Sequence, residues 1–239
     1  MTLSNSPSHK SRIHFAARRR VASKSSKAAL GSFKSSEIVI SMGLALIVGS
    51  GGAAAAYIFR NLIQGFQYVF FDRGQDILSF AGDYYVIVIP AIGGAIVGPI
   101  IYFFAKEAKG HGVPVVMAAI ALQGGKIRPR VVVVKALASA LTIGSGGSVG
   151  REGPIVHVGS AIGSVVAQKL KLSPTWTSTL VASGAAAGIS ATFNAPLAGI
   201  FFAMEVILRK YESRTFIVVV LSSVVASAIT QSFFGNQPA

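Results

Sequence analysis

Residues 144–160 read GSGGSVGREGPIVHVGS, and these residue types in this order point to anion chemistry. Glycine lets a backbone turn tightly and brings bare amides close to a ligand. A helix opening at Pro154 suits the proline, because its missing N–H would have no partner in the first turn. The other first-turn N–H groups are unpaired, and the helix dipole adds roughly half a positive charge at that end. Gly150, Arg151, Gly153 and Pro154 therefore form a candidate anion site. It would attract a halide without a full ammonium or guanidinium charge to hold the ion too tightly for release. Glu152 is then a tethered anion beside those amides, able to occupy the place a passing anion needs. Pushing it aside or protonating it would open the site. The alternative is a helix-capping carboxylate, or one paired with Arg151 or Lys135.

A second stretch repeats this grammar. Gly110, His111, Gly112, Val113 and Pro114 (GHGVP) again set glycines and a proline at the entry to a short apolar run. Two such starts could converge on one ion. Other chemistries fit less well. GSGGSVG lacks both the G-x-G-x-x-G spacing and the GK[ST] ending of phosphate loops. The chain has no cysteine, and its four histidines include no H-x₃-H pair, so neither a metal centre nor a cofactor is expected. No nucleophile stands paired with a base among the few polar groups of the apolar body, which argues against an enzyme.

The elements that must carry these motifs belong in a lipid bilayer. Hydrophobic residues make up 52% of the chain and charged ones 13%, where about 25% is usual. Residues 38–59 are 22 positions without a charge, about 33 Å as a helix and enough to cross a bilayer core. Residues 84–105, with Pro90 and Pro99 inside, and residues 215–234 are two further full-length spans. Between them, apolar stretches at 113–122, 131–143, 154–167, 180–193 and 195–208 run only 10 to 15 residues, bounded by Gly, Pro or charge. Read as half-spanning and tilted helices meeting inside the membrane, they mark a transport site, because irregular backbone at that depth must be buried in protein or line a cavity. A carboxylate there is costly and by default functional, which favours the gate reading of Glu152.

Charge is placed unevenly. Residues 1–36 hold eight Lys/Arg and no acid before Glu37. Such a tail reads as a basic, disordered cytoplasmic segment beside the first span, drawn to anionic lipid. A transit peptide has a similar composition, whereas nucleic-acid binding would call for interleaved aromatics. Residues 37–239 then form the transmembrane region, multi-pass, with the N-terminus cytoplasmic. Arg128 and Arg130 flank Pro129 as a positive rim. Lys135 snorkels or pairs inside the protein. Trp176 is a candidate interfacial anchor. Gly159/Gly163 and Gly184/Gly188 have the small-xxx-small spacing of close helix packing.

At these residues the chain resembles the CLC family of chloride channels and chloride/proton antiporters. GREGP (residues 150–154) matches that family's G[KR]EGP element, with Glu152 on its gating glutamate. GHGVP (110–114) lines up with GSGIP, and SGAAAGISATFNAPLAGIFFAMEV (183–206) resembles the helices that follow. The resemblance covers about residues 38–239. It implies an all-α membrane fold of tilted, broken helices, chloride as the transported ion, and a homodimer with one pathway per protomer. Three departures stand out. His111 replaces the serine that contacts the ion, and an imidazole there implies pH-sensitive anion affinity. Val206 occupies the internal proton-glutamate position, with Glu205 one residue earlier; valine cannot relay a proton, so channel-like conduction is expected, with proton-coupled exchange the alternative. The resemblance spans only the first of two inverted repeats, which implies a piece of a longer protein, two assembling copies, or a non-conducting membrane subunit.

Overall fold

The computed structural model describes residues 35–74, 82, 84–104 and 112–235. Every regular element among them is helical. Helix α1 (Ser35–Gln67) runs 33 residues and continues as π-helical turns over Tyr68–Arg73. Then follow α2 (Tyr85–Phe104), α3 (Gly112–Gln123), α4 (Pro129–Gly144), α5 (Glu152–Lys169) and α6 (Pro174–Phe193). Last come α7 (Pro196–Phe201), which passes into π-helical turns over Phe202–Leu208, and α8 (Ser213–Phe234). The chain divides into two units, Met1–Ser41 and Met42–Ala239. In the first, the described part is the opening of α1, where Ser41 Oγ donates to the Glu37 carbonyl at 2.6 Å.

Prolines set the helix starts. Pro129, Pro174 and Pro196 each occupy the first turn of their helices, where no intrahelical N–H bond is lost. Ser173 adds a cap by accepting from the Trp176 N–H at 3.5 Å. At the other end of α6 the chain turns at Asn194 in a left-handed conformation (φ 52°), which asparagine tolerates well, and Pro196 then begins α7.

Three stretches are long and apolar enough to cross a membrane: Glu37–Arg73, Tyr85–Phe103 and Ser213–Phe233. They match the spans expected at 38–59, 84–105 and 215–234. The middle of the chain departs in part from expectation. Gly112–Gln123 and Pro196–Leu208 are short apolar helices as anticipated, but α5 has 18 residues and α6 has 20. At 1.5 Å per residue α6 is about 30 Å long, a full crossing. Its apolar run looked short because Thr175, Thr177, Ser178 and Thr179 in its first turns are polar. They sit comfortably in a helix because several donate back one turn, as Thr177 Oγ1 does to Ser173 O (3.0 Å).

Helix α6 is the centre of the molecule. From Thr179 to Thr192 every residue is buried, with α5 on one side and α8 on another. The α5–α6 pair is antiparallel and packs backbone to backbone. Gly159 faces Gly184, Gly163 faces Leu180, and Gly188 faces Ile155. A Cβ on Gly184 would stand 2.7 Å from the Gly159 carbonyl carbon, so no larger residue fits at this spacing. The small-xxx-small pairs thus serve packing within one chain. On the α8 side, hydroxyls join the helices. Ser190 and Ser223 share a short hydrogen bond, and Ser223 Oγ donates to Pro196 O at 2.8 Å.

The two ends of the bundle differ in charge. At one end Leu44, Ala45 and Val48 of α1 pack with Ala167, Leu180 and Val218, near Trp176. The segments 126–130, 169–171 and 209–214 lie there with eight Lys/Arg (Lys126, Arg128, Arg130, Lys169, Lys171, Arg209, Lys210, Arg214) and Glu212. Arg214 rests 5.5 Å over the Trp176 ring. Toward the opposite end, Phe59 and Ile63 of α1 pack with Ile155 of α5 and Ala191 of α6. That end carries Arg60, Arg73 and Arg151 with Asp72 and Glu152.

Candidate functional site

Helix α5 begins at Glu152, two residues before the expected start, with Arg151 as its N-cap and no side-chain cap. Pro154 is therefore the third helical residue. This corrects the local picture without moving the motif: Ile155 N–H already reaches Arg151 O at 3.2 Å, and Pro154 has no N–H. Glu152 and Gly153 are left with amides that have no partner within the helix. Helix α3 is built the same way. It begins at Gly112 and carries Pro114 as its third residue, so the amides of Gly112 and Val113 have no partner within the helix. The chain arrives at the same device twice.

The two starts touch. A Cβ on Gly112 would lie 2.6 Å from the Gly153 carbonyl carbon, and one on Gly153 would lie 3.4 Å from the Gly112 nitrogen. Main chain meets main chain, which only glycine permits. Of the residues expected at the site, Gly112, Val113 and Pro114 are thereby brought against Glu152, Gly153 and Pro154. Gly110 and His111 lie outside the described residues.

Gly150 has a different duty. A Cβ there would stand 3.2 Å from the Glu152 carboxyl carbon and 3.7 Å from Oε1. The Glu152 side chain folds back over the preceding loop into the space a side chain at 150 would fill, and it remains exposed. Among the described residues no ion pair or side-chain hydrogen bond holds it, so neither the Arg151 nor the Lys135 pairing is seen. Arg151 turns elsewhere, into a pocket of ≈ 130 Å³ that it lines with Arg60, Gln64 and Gln67. Arg60 was not singled out from the sequence. Its signal was there, as the first charge after 22 uncharged positions. Lys135 is buried on α4.

Glu205 and Val206 sit in the π-helical turns after α7. Glu205 is exposed and its Oε1 accepts from the Tyr211 hydroxyl at 2.9 Å. Tyr211 belongs to the connection at the basic end, so Glu205 is engaged there. Among the described residues no cluster of His, Cys, Asp or Glu is arranged to hold a metal ion.

The family described as voltage gated chloride channel matches residues 93–239, more than half of the chain. The chain belongs to this family. As a CLC chain it is 31% identical over 201 residues to a ClcB-like chloride channel protein of Ralstonia nicotianae, covering 81% of this chain and 47% of that one. It is 36% identical over 199 residues to the H(+)/Cl(-) exchange transporter ClcA of Yersinia pestis, covering 75% of this chain and 41% of that one. Among solved structures it resembles a slow cyanobacterial Cl-/H+ antiporter, with a TM-score of 0.64 at 26% identity over 85% of this chain and 48% of that chain. A CLC-type fluoride/proton antiporter shares the fold, with a TM-score of 0.69 at 24% identity over 87% of this chain and 50% of that chain. The CLC chain thus spans about half the length of the relatives it matches, and its all-α architecture is that of the first half of the family fold.

Proposed function

We propose that this chain supplies the first half of a transmembrane chloride pathway, in which the paired starts of α3 and α5 attract the anion and Glu152 gates it. The observation that carries the reading is the contact of Gly112 with Gly153. It gathers four amides that lack partners within their own helices and two positive helix ends at one point, with the Glu152 carboxylate folded beside them. Anion-binding roles fall to the backbone of Gly110, His111, Gly112, Val113, Gly150, Arg151 and Gly153. Pro114 and Pro154 hold the helix turns open. Arg60 and Arg151 raise the potential at the adjacent end and concentrate anions there. The remaining ion ligands belong, by the resemblance, to a second repeat, and the working unit is a homodimer. The basic end faces the cytoplasm by the positive-inside rule, and the basic N-terminal segment is assigned to the cytoplasm by the same rule.

Channel-like conduction follows from Val206 and from Glu205 being engaged with Tyr211 at the basic surface. Proton-coupled exchange is the second reading, favoured by the exchange activity named for the Yersinia pestis relative. Reconstitution into chloride-loaded liposomes tests both. Chloride efflux on adding valinomycin, without proton uptake, supports conduction; stoichiometric proton movement supports exchange. Absence of flux from the chain and from its Glu152→Gln variant, alone and when co-expressed with a second-half segment of a relative, points to a non-conducting subunit.

A further inference from the structure

The structure carries a second polar feature that the helix-start site does not use. His157 lies on α5, five residues past Glu152, or about 7.5 Å of helical rise. It is 1% exposed, and its Nδ1 has no hydrogen-bond partner among the described residues. A buried polar atom of this kind needs an explanation. His157 lines a cavity of ≈ 390 Å³ between α3, α4, α5 and the 124–128 connection. The walls are apolar, formed by Val115, Ala119, Ile127 and Val131, and the polar lining consists of Gln123, Lys126, Arg128 and His157. Among the described residues no carboxylate lines it. Cavities of roughly 300–1,000 Å³ with apolar walls and a few converging polar groups are the usual form of small-molecule sites.

We propose that this cavity is a second binding site, separate from the paired helix starts, for a small carboxylate anion with an apolar body. The ligand chemistry follows from the lining. Lys126 at the rim, with no acid among the described lining residues, favours a negative charge. One buried imidazole offers a single directional donor in its neutral form, enough for one carboxylate oxygen. A halide would leave most of the volume and all of the hydrocarbon wall unfilled, whereas a short aliphatic or aromatic carboxylate fills both. The site opens at the basic end, near Lys126 and Arg128. It does not rest on the transport reading, since binding there requires no ion passage.

Benzoate titrated into the intact chain in detergent, read by calorimetry, tests the site. Saturable one-to-one binding is expected, weakened at least tenfold by His157→Leu and severalfold by Lys126→Gln. Ala118→Trp, at an exposed wall position, should abolish it by filling the space. His157→Gln, which keeps a polar group of similar reach, separates loss of the donor from loss of the fold: benzoate should bind it more tightly than His157→Leu. Glu152→Gln should leave benzoate binding unchanged. The proposal fails if Ala118→Trp and His157→Leu both bind like the parent chain. It also fails if benzyl alcohol binds as tightly as benzoate, which would make the cavity merely apolar or water-filled. A third failure would be loss of benzoate binding in phosphatidylglycerol nanodiscs but not phosphatidylcholine ones, which would assign the cavity to a lipid headgroup.

Discussion

Glu152 and Gly150 form a functional pair, although only one of them has a side chain. The carboxylate stays by the helix end because position 150 is empty beyond its α-carbon. A charge beside a helix N-terminus is worth about 0.3–2 kcal/mol, or roughly two- to thirtyfold in occupancy. Replacing it by Glu152→Gln should raise chloride flux by a factor in that range, measured with a chloride electrode on proteoliposomes. Gly150→Ala should move flux in the same direction while keeping the carboxylate, because the new methyl takes the space the side chain folds into. Flux that is lower in Gly150→Ala than in the parent chain would mean that the carboxylate serves the path rather than blocking it. The residue types at this spot could be read from the sequence alone. The folded-back posture could not, because it depends on where the loop leads the chain two residues before the helix.

Helices α5 and α6 show which parts of an element can be read from its sequence and which cannot. Their small residues, spaced four apart at Gly159/Gly163 and Gly184/Gly188, announced close packing, and the structure pairs them face to face. Their lengths were underestimated because hydropathy tracks contact with lipid. Helix α6 has almost none, so Thr and Ser cost it little once they bond back to its own carbonyls. Gly184→Val should therefore be one of the more damaging single changes, at about 1–3 kcal/mol by overpacking, seen as a lower melting temperature in detergent. The α6–α8 hydroxyl contact is a smaller effect. Ser223→Ala removes two interhelical bonds, with Ser190 and to the Pro196 carbonyl, each worth about 0.6 kcal/mol inside a membrane, and should lower melting less than Gly184→Val does. Gly112→Ala tests the join of α3 to α5. It should lower the melting temperature and also abolish its anion-dependent rise, because the added methyl meets the Gly153 main chain and forces apart two helix starts.

At the scale of the molecule, eight basic residues at one end against three at the other, counted among the described residues, define an orientation. Because the chain has no cysteine, single cysteines can report it without background. Lys171→Cys should react with a membrane-impermeant maleimide only after the cell is opened, and Gln67→Cys should react in intact cells; the reverse pattern would invert the assignment. The three greasy spans were evident from composition. The joining of two distant glycine motifs across forty residues was not, since no local pattern reports what a helix start will touch. That join has a practical consequence. The atoms meeting at Gly112 and Gly153 are peptide atoms, so the genetic code offers ways to break the arrangement and very few to adjust it. Ion preference at such a place would yield to chemistry on the chain itself. Exchanging one amide for an ester, for instance, would remove a single N–H while every side group stays as it is.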